Sequence, residues 1–194
     1  MPKIFSERER VRIIEDLRNG AAECLCLYGV RKTTVDELVR RANIAKGTFY
    51  LFYDSKEALF ADVLINFEER VEGMYLEMLQ NLDENHIVTS LTDVFTAIAM
   101  KTYEDGIYRF FENSNIELVQ RKLPEKNFRE VTDNAHSVFK NLFSYFSIDD
   151  EEDIEAFTDG YNAILRLFSS SERIPQLEKT IRFVVRGLVL QMVE

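Results

Sequence analysis

Lys46, Thr48 and Tyr50 crowd around Gly47 in the run Asn43-Ile44-Ala45-Lys46-Gly47-Thr48-Phe49-Tyr50. A cation, two hydroxyls and a residue without Cβ suit contact with a phosphodiester. The ammonium attracts the charge, the hydroxyls reach phosphate oxygens or base edges, and the bare backbone at Gly47 lets an anion approach the N–H groups of a helix start. Nothing else in the chain has the spacing for covalent or metal chemistry. His86 and His136 are far apart with no carboxylate cluster at ligand spacing, Gly47 belongs to no phosphate-loop pattern, and no Gly-x-Ser-x-Gly elbow occurs. Cys24 and Cys26 point about 200° apart on a helix, so they share neither a disulfide nor a metal. Neither metal nor cofactor is expected.

The elements that must hold these residues can be read from caps and periodicity. Thr34, three before Glu37, predicts a capping box that opens a short helix ending at Ala42. Asn43 is a turn residue that tolerates positive φ. A third helix over Lys46 to Tyr53 follows, and Val35, Leu38, Val39, Ile44, Phe49 and Tyr53 would form the small core between the two. Helix, tight turn, helix is the device that sets a second helix into the major groove while the first braces it. Before it, Val11, Ile14, Leu17, Ala21, Leu25 and Tyr28 make one stripe, closed by Gly29 in a left-handed conformation. After it, Asp54 with Glu57 predicts the cap of a long fourth helix striped by Phe60, Val63, Phe67, Val71, Met74, Met78 and Leu82. At 1.5 Å per residue that helix reaches about 40 Å, enough to join two bodies.

Further helical patterns run roughly over 87–104, 106–121, 125–146, 151–170 and 175–193, with prolines only at 2, 124 and 175. Asn19-Gly20, Asp105-Gly106 and Asp159-Gly160 are hairpin dipeptides, yet no alternating strand flanks them. The class is all-α, with about nine helices. The 194 residues carry a net charge of −10 that is unevenly spread. Residues 1–60 hold 11 basic and 9 acidic residues, leaving +2; the other 134 hold 13 and 25, leaving −12. Two functional halves are implied, and a basic coat for unspecific nucleic-acid binding is excluded. No apolar run approaches a membrane span, and the charged Met1–Arg18 segment lacks a signal peptide's apolar core, so a cytoplasmic location and no membrane partner are expected.

The stretch Gly29 to Leu64 resembles the DNA-binding domain of the TetR family of transcriptional regulators. The resemblance rests on Thr33-Thr34-Val35-Asp36-Glu37-Leu38, Lys46-Gly47-Thr48-Phe49-Tyr50 and Ser55-Lys56-Glu57-Ala58-Leu59-Phe60. It implies a three-helix DNA-binding domain over residues 1–54, and an effector-binding and dimerisation domain over 55–194. Thr34 would cap its helix and contact a phosphate. Lys46, Thr48 and Tyr50 would meet double-stranded DNA at a palindromic operator, with Gly47 at the helix start, and Lys56 would hold a phosphate. Three positions depart from the family pattern. Ala45 stands where Ser is usual and gives up a helix cap worth about 1 kcal/mol. Leu51 could touch a thymine methyl, and Phe52 cannot donate the hydrogen bond of the usual His or Tyr.

Thirteen of the 23 aromatic residues fall between 87 and 168. Packed together they make an ordinary core; under the resemblance they surround a cavity for a small apolar or aromatic effector. Phe67, Phe95, Tyr103, Tyr108, Phe111, His136, Phe139 and Phe143 are the expected lining, with the two tyrosines and the histidine as polar handles. The last two helices present Phe157, Gly160, Tyr161, Ile164 and Phe168 on one stripe, and Ile181, Val184 and Leu188 on another. These are the expected contacts of a homodimer, which doubles the contacts of a short recognition helix. The leading expectation is a ligand-responsive repressor, not an enzyme. Control by a protein partner, or a helical carrier or enzyme, are the alternatives.

Overall fold

The computed structural model describes residues 5–81, 83–111, 115–122, 140, 142–144, 150–168 and 174–193. Its helices are α1 (Glu7–Lys32), α2 (Val35–Arg41), α3 (Lys46–Phe49), α4 (Lys56–Gln80), α5 (Ile87–Glu104), α6 (Asn115–Lys122), α7 (Glu151–Leu167) and α8 (Leu177–Val193). Two 3₁₀ turns, Glu84–His86 and Ile107–Phe111, interrupt them. Residues 140 and 142–144 are helical too, and no strand occurs among the described residues. The all-α expectation holds.

Local chemistry accounts for the helix boundaries. Ser6 and Glu9 form a reciprocal capping box that opens α1. Gly29, at φ 71° and ψ 173°, interrupts the helical run at the expected place, and a short helical segment after it carries α1 on to Lys32. A side chain is strained at such a φ, and glycine is not. The cap of α4 is Ser55, whose hydroxyl accepts from Ala58 N at 3.1 Å, in place of the expected Asp54. The expected helix over 106–121 is split, because Gly106 takes φ 69° and the chain then tightens into the 3₁₀ turn before α6. Asp150 caps α7 by accepting from Glu152 N and Asp153 N, and its acidic first turn sits at the positive end of the helix dipole.

The stripe expected on α1 is displaced. Ile13, Leu17, Ala21, Cys24 and Leu25 are buried, whereas Val11 and Tyr28 are nearly half exposed. The buried row faces α2, α4 and α6, which pack on α1, and so it follows its neighbours more than its own most apolar line. On α4 the buried residues include Phe60, Val63, Phe67 and Val71 as expected, then Tyr75 and Leu79, with Met74 and Met78 half-buried.

In the C-terminal part, α5 lies along α8 and α7 packs on both. Phe95 of α5 is the centre of an aromatic cluster, with ring centroids 5.4 Å from Phe143, 4.7 Å from Phe157 and 5.8 Å from Tyr161. The Tyr161 hydroxyl donates to the Phe95 carbonyl at 2.7 Å, and burial keeps that phenol protonated. A buried ring of this kind contributes about 2–3 kcal/mol by leaving water. The two halves also touch directly: α1 meets the 107–111 turn and α6 as well as α4. There Cys26 sits in a notch above Gly106, where a Cβ would lie 2.0 Å from its Sγ.

Candidate nucleic-acid interface

The turn between α2 and α3 is built from backbone bonds. Thr34 accepts from Glu37 N at 3.2 Å and so caps α2. The Glu37 carboxylate serves Arg40 and Arg41 rather than closing the expected capping box, and those cations hold it below the usual carboxylate range. Asn43 takes φ 51°, and Ile44 N donates to Val39 O at 3.0 Å. Leu38, Val39 and Phe49 are buried between the helices, with Val35, Ile44 and Tyr53 half-buried around them.

α3 is shorter than expected. It spans Lys46–Phe49, after which Leu51 N donates to Thr48 O and Phe52 N to Phe49 O in 3₁₀-type turns, while Tyr53 N returns four residues to Phe49 O. Ala45 is its N-cap and supplies no side-chain bond, as its residue type implies. Nothing lies within 4 Å of where a Gly47 Cβ would stand, so no neighbour in the chain requires glycine there. Lys46 reaches Asp36 of α2 at 2.9 Å, a pair open to solvent on both sides and therefore easily exchanged for another anion. Tyr50 and Leu51, adjacent to each other and next to the buried Phe49, are 51% and 54% exposed. Lys46, Gly47, Tyr50 and Leu51 are thus open together, Thr48 is half-buried, and exposed Thr34 stands two residues before the Asp36 that Lys46 touches.

Behind this surface lies a polar lock. Arg18 of α1 makes a bidentate pair with Asp62 of α4, both bonds at 2.7 Å, and the Tyr53 hydroxyl donates to the same carboxylate. Burial and the Asp62 charge push the Tyr53 phenol far above its ordinary value, so it stays a donor. Lys56 departs from its expected role. Its ammonium donates to the carbonyls of Val30, Arg31 and Thr33 at 2.9, 3.3 and 2.6 Å, closing the end of α1 instead of facing outward. Phe52 packs against Phe5 at 6.0 Å and carries the Arg10 guanidinium over its ring at 5.0 Å. No sequence signal pairs residues so distant, and only the fold brings Phe5, Arg10, Arg18 and Asp62 to this region.

Residues 17–63, which contain this constellation apart from Phe5 and Arg10, match the family described as bacterial regulatory proteins of the tetR family. Those residues carry the tetR-family signature. Over 63 residues it is 33% identical to the uncharacterized HTH-type transcriptional regulator YdgC of Bacillus subtilis, covering 32% of each chain. Over 105 residues it is 30% identical to the HTH-type transcriptional repressor KstR2 of Rhodococcus jostii, covering 50% of this chain and 52% of that one. The chain therefore spans about a third and about half the length of the two curated relatives. Among solved structures it resembles the fatty acid degradation regulator FadR of Bacillus halodurans, with TM-score 0.72, 14% identity and 96% and 97% of the two chains covered. A TetR-family regulator of Bordetella parapertussis follows at TM-score 0.66, 15% identity and coverage of 94% and 95%. At such identities the likeness is one of fold.

The other expected sites are distributed differently. Phe67, Phe95 and Phe143 are buried core residues, and Tyr103 and Tyr108 stack at 5.7 Å near the surface beside Phe168. His136, Phe139 and the Phe111 side chain lie outside the described residues. A groove of about 350 Å³ is lined by Glu77, Met78, Asn81, Ser90, Asp93 and Val94, and contains none of the expected lining. Of the expected dimer contacts, Phe157, Tyr161, Ile164, Phe168 and Ile181 are buried within the protomer, and a Cβ on Gly160 would lie 3.2 Å from Leu188 of the same chain. Their stripe faces α5 and the α7–α8 seam. Phe183 and Val184, 66% and 42% exposed, and Leu167 are the apolar residues left outside. No helix among the described residues is long and apolar enough to cross a membrane, and no group of three metal-ligating side chains occurs among them.

Proposed function

We propose that this protein is a DNA-binding transcriptional repressor in which α3 reads a duplex, with residues 1–54 as the reading unit and 55–194 as the effector-binding and dimerising unit. The observation that carries this reading is the open surface of α3. Lys46, Gly47, Tyr50 and Leu51 face solvent, and Gly47 has no internal reason to be glycine. Approach of an outside backbone is the remaining use for it. Lys46 would exchange Asp36 for a phosphate, Thr34 and Thr48 would donate hydroxyls, and Leu51 would meet a thymine methyl. A net charge of −12 on the second part keeps binding confined to the first.

The finer parts of the proposal rest on different support. Repression follows the relative KstR2, a transcriptional repressor. A homodimer on a palindrome is supported by Phe183, Val184 and Leu167, exposed on neighbouring helices α7 and α8. Release by a small apolar or aromatic molecule is supported by the concentration of aromatic residues over 87–168, and the regulator FadR that shares the fold is named for fatty acid degradation. Release requires that the molecule bind the two states with different affinity. Selection of the purified chain against random duplex DNA at physiological salt tests the whole. Enrichment of a two-fold symmetric site, lost in Lys46→Ala and Tyr50→Ala, is expected; a folded chain that enriches no sequence overturns the reading.

A further inference from the structure

We propose that Arg10, held on the ring of Phe52, is a phosphate contact of the interface and takes over the bond that Phe52 itself cannot make. The inference rests on the DNA-binding reading above. Phe52 lies in the turn that follows α3, directly after the exposed Tyr50 and Leu51. Having no hydrogen-bonding atom, it cannot touch a phosphate. It instead presents its ring to two residues of the chain's beginning: Phe5 packs against it at 6.0 Å, and the Arg10 guanidinium lies 5.0 Å from the ring centroid. A guanidinium drawn to an aromatic ring by its charge spends none of its five N–H donors on a hydrogen bond there.

The surroundings leave that cation available. Glu9, the adjacent acid, spends its carboxylate on Ser6 N and Ser6 Oγ, both at 2.8 Å, in the α1 capping box. Arg12 is paired with Asp16 of the next turn. Among the described residues Arg10 has no carboxylate within ion-pair distance, and its side chain is open to solvent. An arginine fixed by stacking and unpaired by any acid loses little freedom on meeting a phosphate, and its fork suits two phosphate oxygens. Phe52 is then a positioning residue, and Phe5 the wedge that fixes it.

The test measures affinity for the selected duplex across salt concentrations, with thermal melts confirming that each variant folds. Arg10→Ala is expected to weaken binding uniformly across sequences, and to lower the slope of log affinity on log salt by about 0.9 per protomer. Arg10→Lys is expected to restore the slope. Phe52→Leu is expected to weaken binding in wild-type Arg10 but to add little in the Arg10→Ala background, as for one coupled contact. An unchanged affinity and slope in Arg10→Ala overturns the inference while leaving the α3 reading intact. An affinity loss with unchanged slope overturns it as well, since a merely structural role does that. Wild-type protein that binds no duplex removes both.

Discussion

Tyr53 and Arg18 meet on one oxygen of Asp62: the phenol donates to Oδ2 at 2.5 Å and the guanidinium Nε at 2.7 Å. A residue from the end of the recognition segment, one from α1 and one from α4 are thereby bonded at a single atom. Tyr53→Phe removes one charge-assisted bond and is expected to cost about 1.5 kcal/mol in denaturant unfolding, with its ring packing against Phe49 retained.

The same carboxylate sets a pH dependence. Burial opposes ionisation of Asp62, but the bonds from Arg18 and Tyr53 outweigh it and hold the carboxyl below its usual value. A depressed folded value contributes stability that is complete above the unfolded aspartate's value of about 3.9 and is lost as pH falls through the folded one. Melting temperatures followed from neutral pH into that acid range should fall more steeply for wild type than for Asp62→Asn. Equal slopes would show that Asp62 titrates alike in the folded and unfolded chain.

Lys56→Met keeps the apolar stem and deletes three bonds to the carbonyls that end α1. The expected result is a loss of about 2 kcal/mol in urea unfolding. The salt slope of duplex binding should stay at the wild-type value. A reduced slope would return Lys56 to the role that the family resemblance implies for it.

Gly106→Ala strains a φ of 69° and drives a Cβ into the Cys26 sulfur. A loss above about 2 kcal/mol is expected, made of the left-handed backbone penalty and the overlap. Cys26→Ala in the same chain removes the sulfur and should recover the overlap part only. Additive losses in the double variant would mean that the notch is not where the cost arises.

Phe183→Asp places a charge on the exposed apolar patch of α8 and should shift sedimentation toward the monomer without lowering the melting temperature of the isolated protomer. Phe157→Ala should do the reverse kind of damage. It opens a cavity beside Phe95 and Phe143 and costs about 3–5 kcal/mol in unfolding.

Much of the reading part was legible because its signals are local. Thr34, Asn43 and Ala45 act on atoms within a few residues, so their types alone foretold a cap, a positive φ and an absent cap. The roles that escaped are those decided across the fold. Lys56 looks the same in sequence whether it faces a phosphate or three carbonyls, and only the position of the α1 end decides between them. The α7 stripe was seen correctly as apolar, yet periodicity cannot say whether a helix of the same chain or of another covers it; Phe157 and Tyr161 are covered by their own protomer. Asp54 is the expected cap of α4 and Ser55 the one observed, a shift of one residue between expectation and structure.

The closing of α1 by a residue in the first turn of α4 has a mechanical consequence. Lys56 grips Val30, Arg31 and Thr33, and Asp62 grips Arg18 and Tyr53, so a swivel of the first two turns of α4 beneath α1 would break these bonds. The 25 residues of α4 then act as a crank welded to its load. A rod about 38 Å long, tilted by about 5°, carries its far end about 3 Å, with no slack in a joint to absorb the stroke.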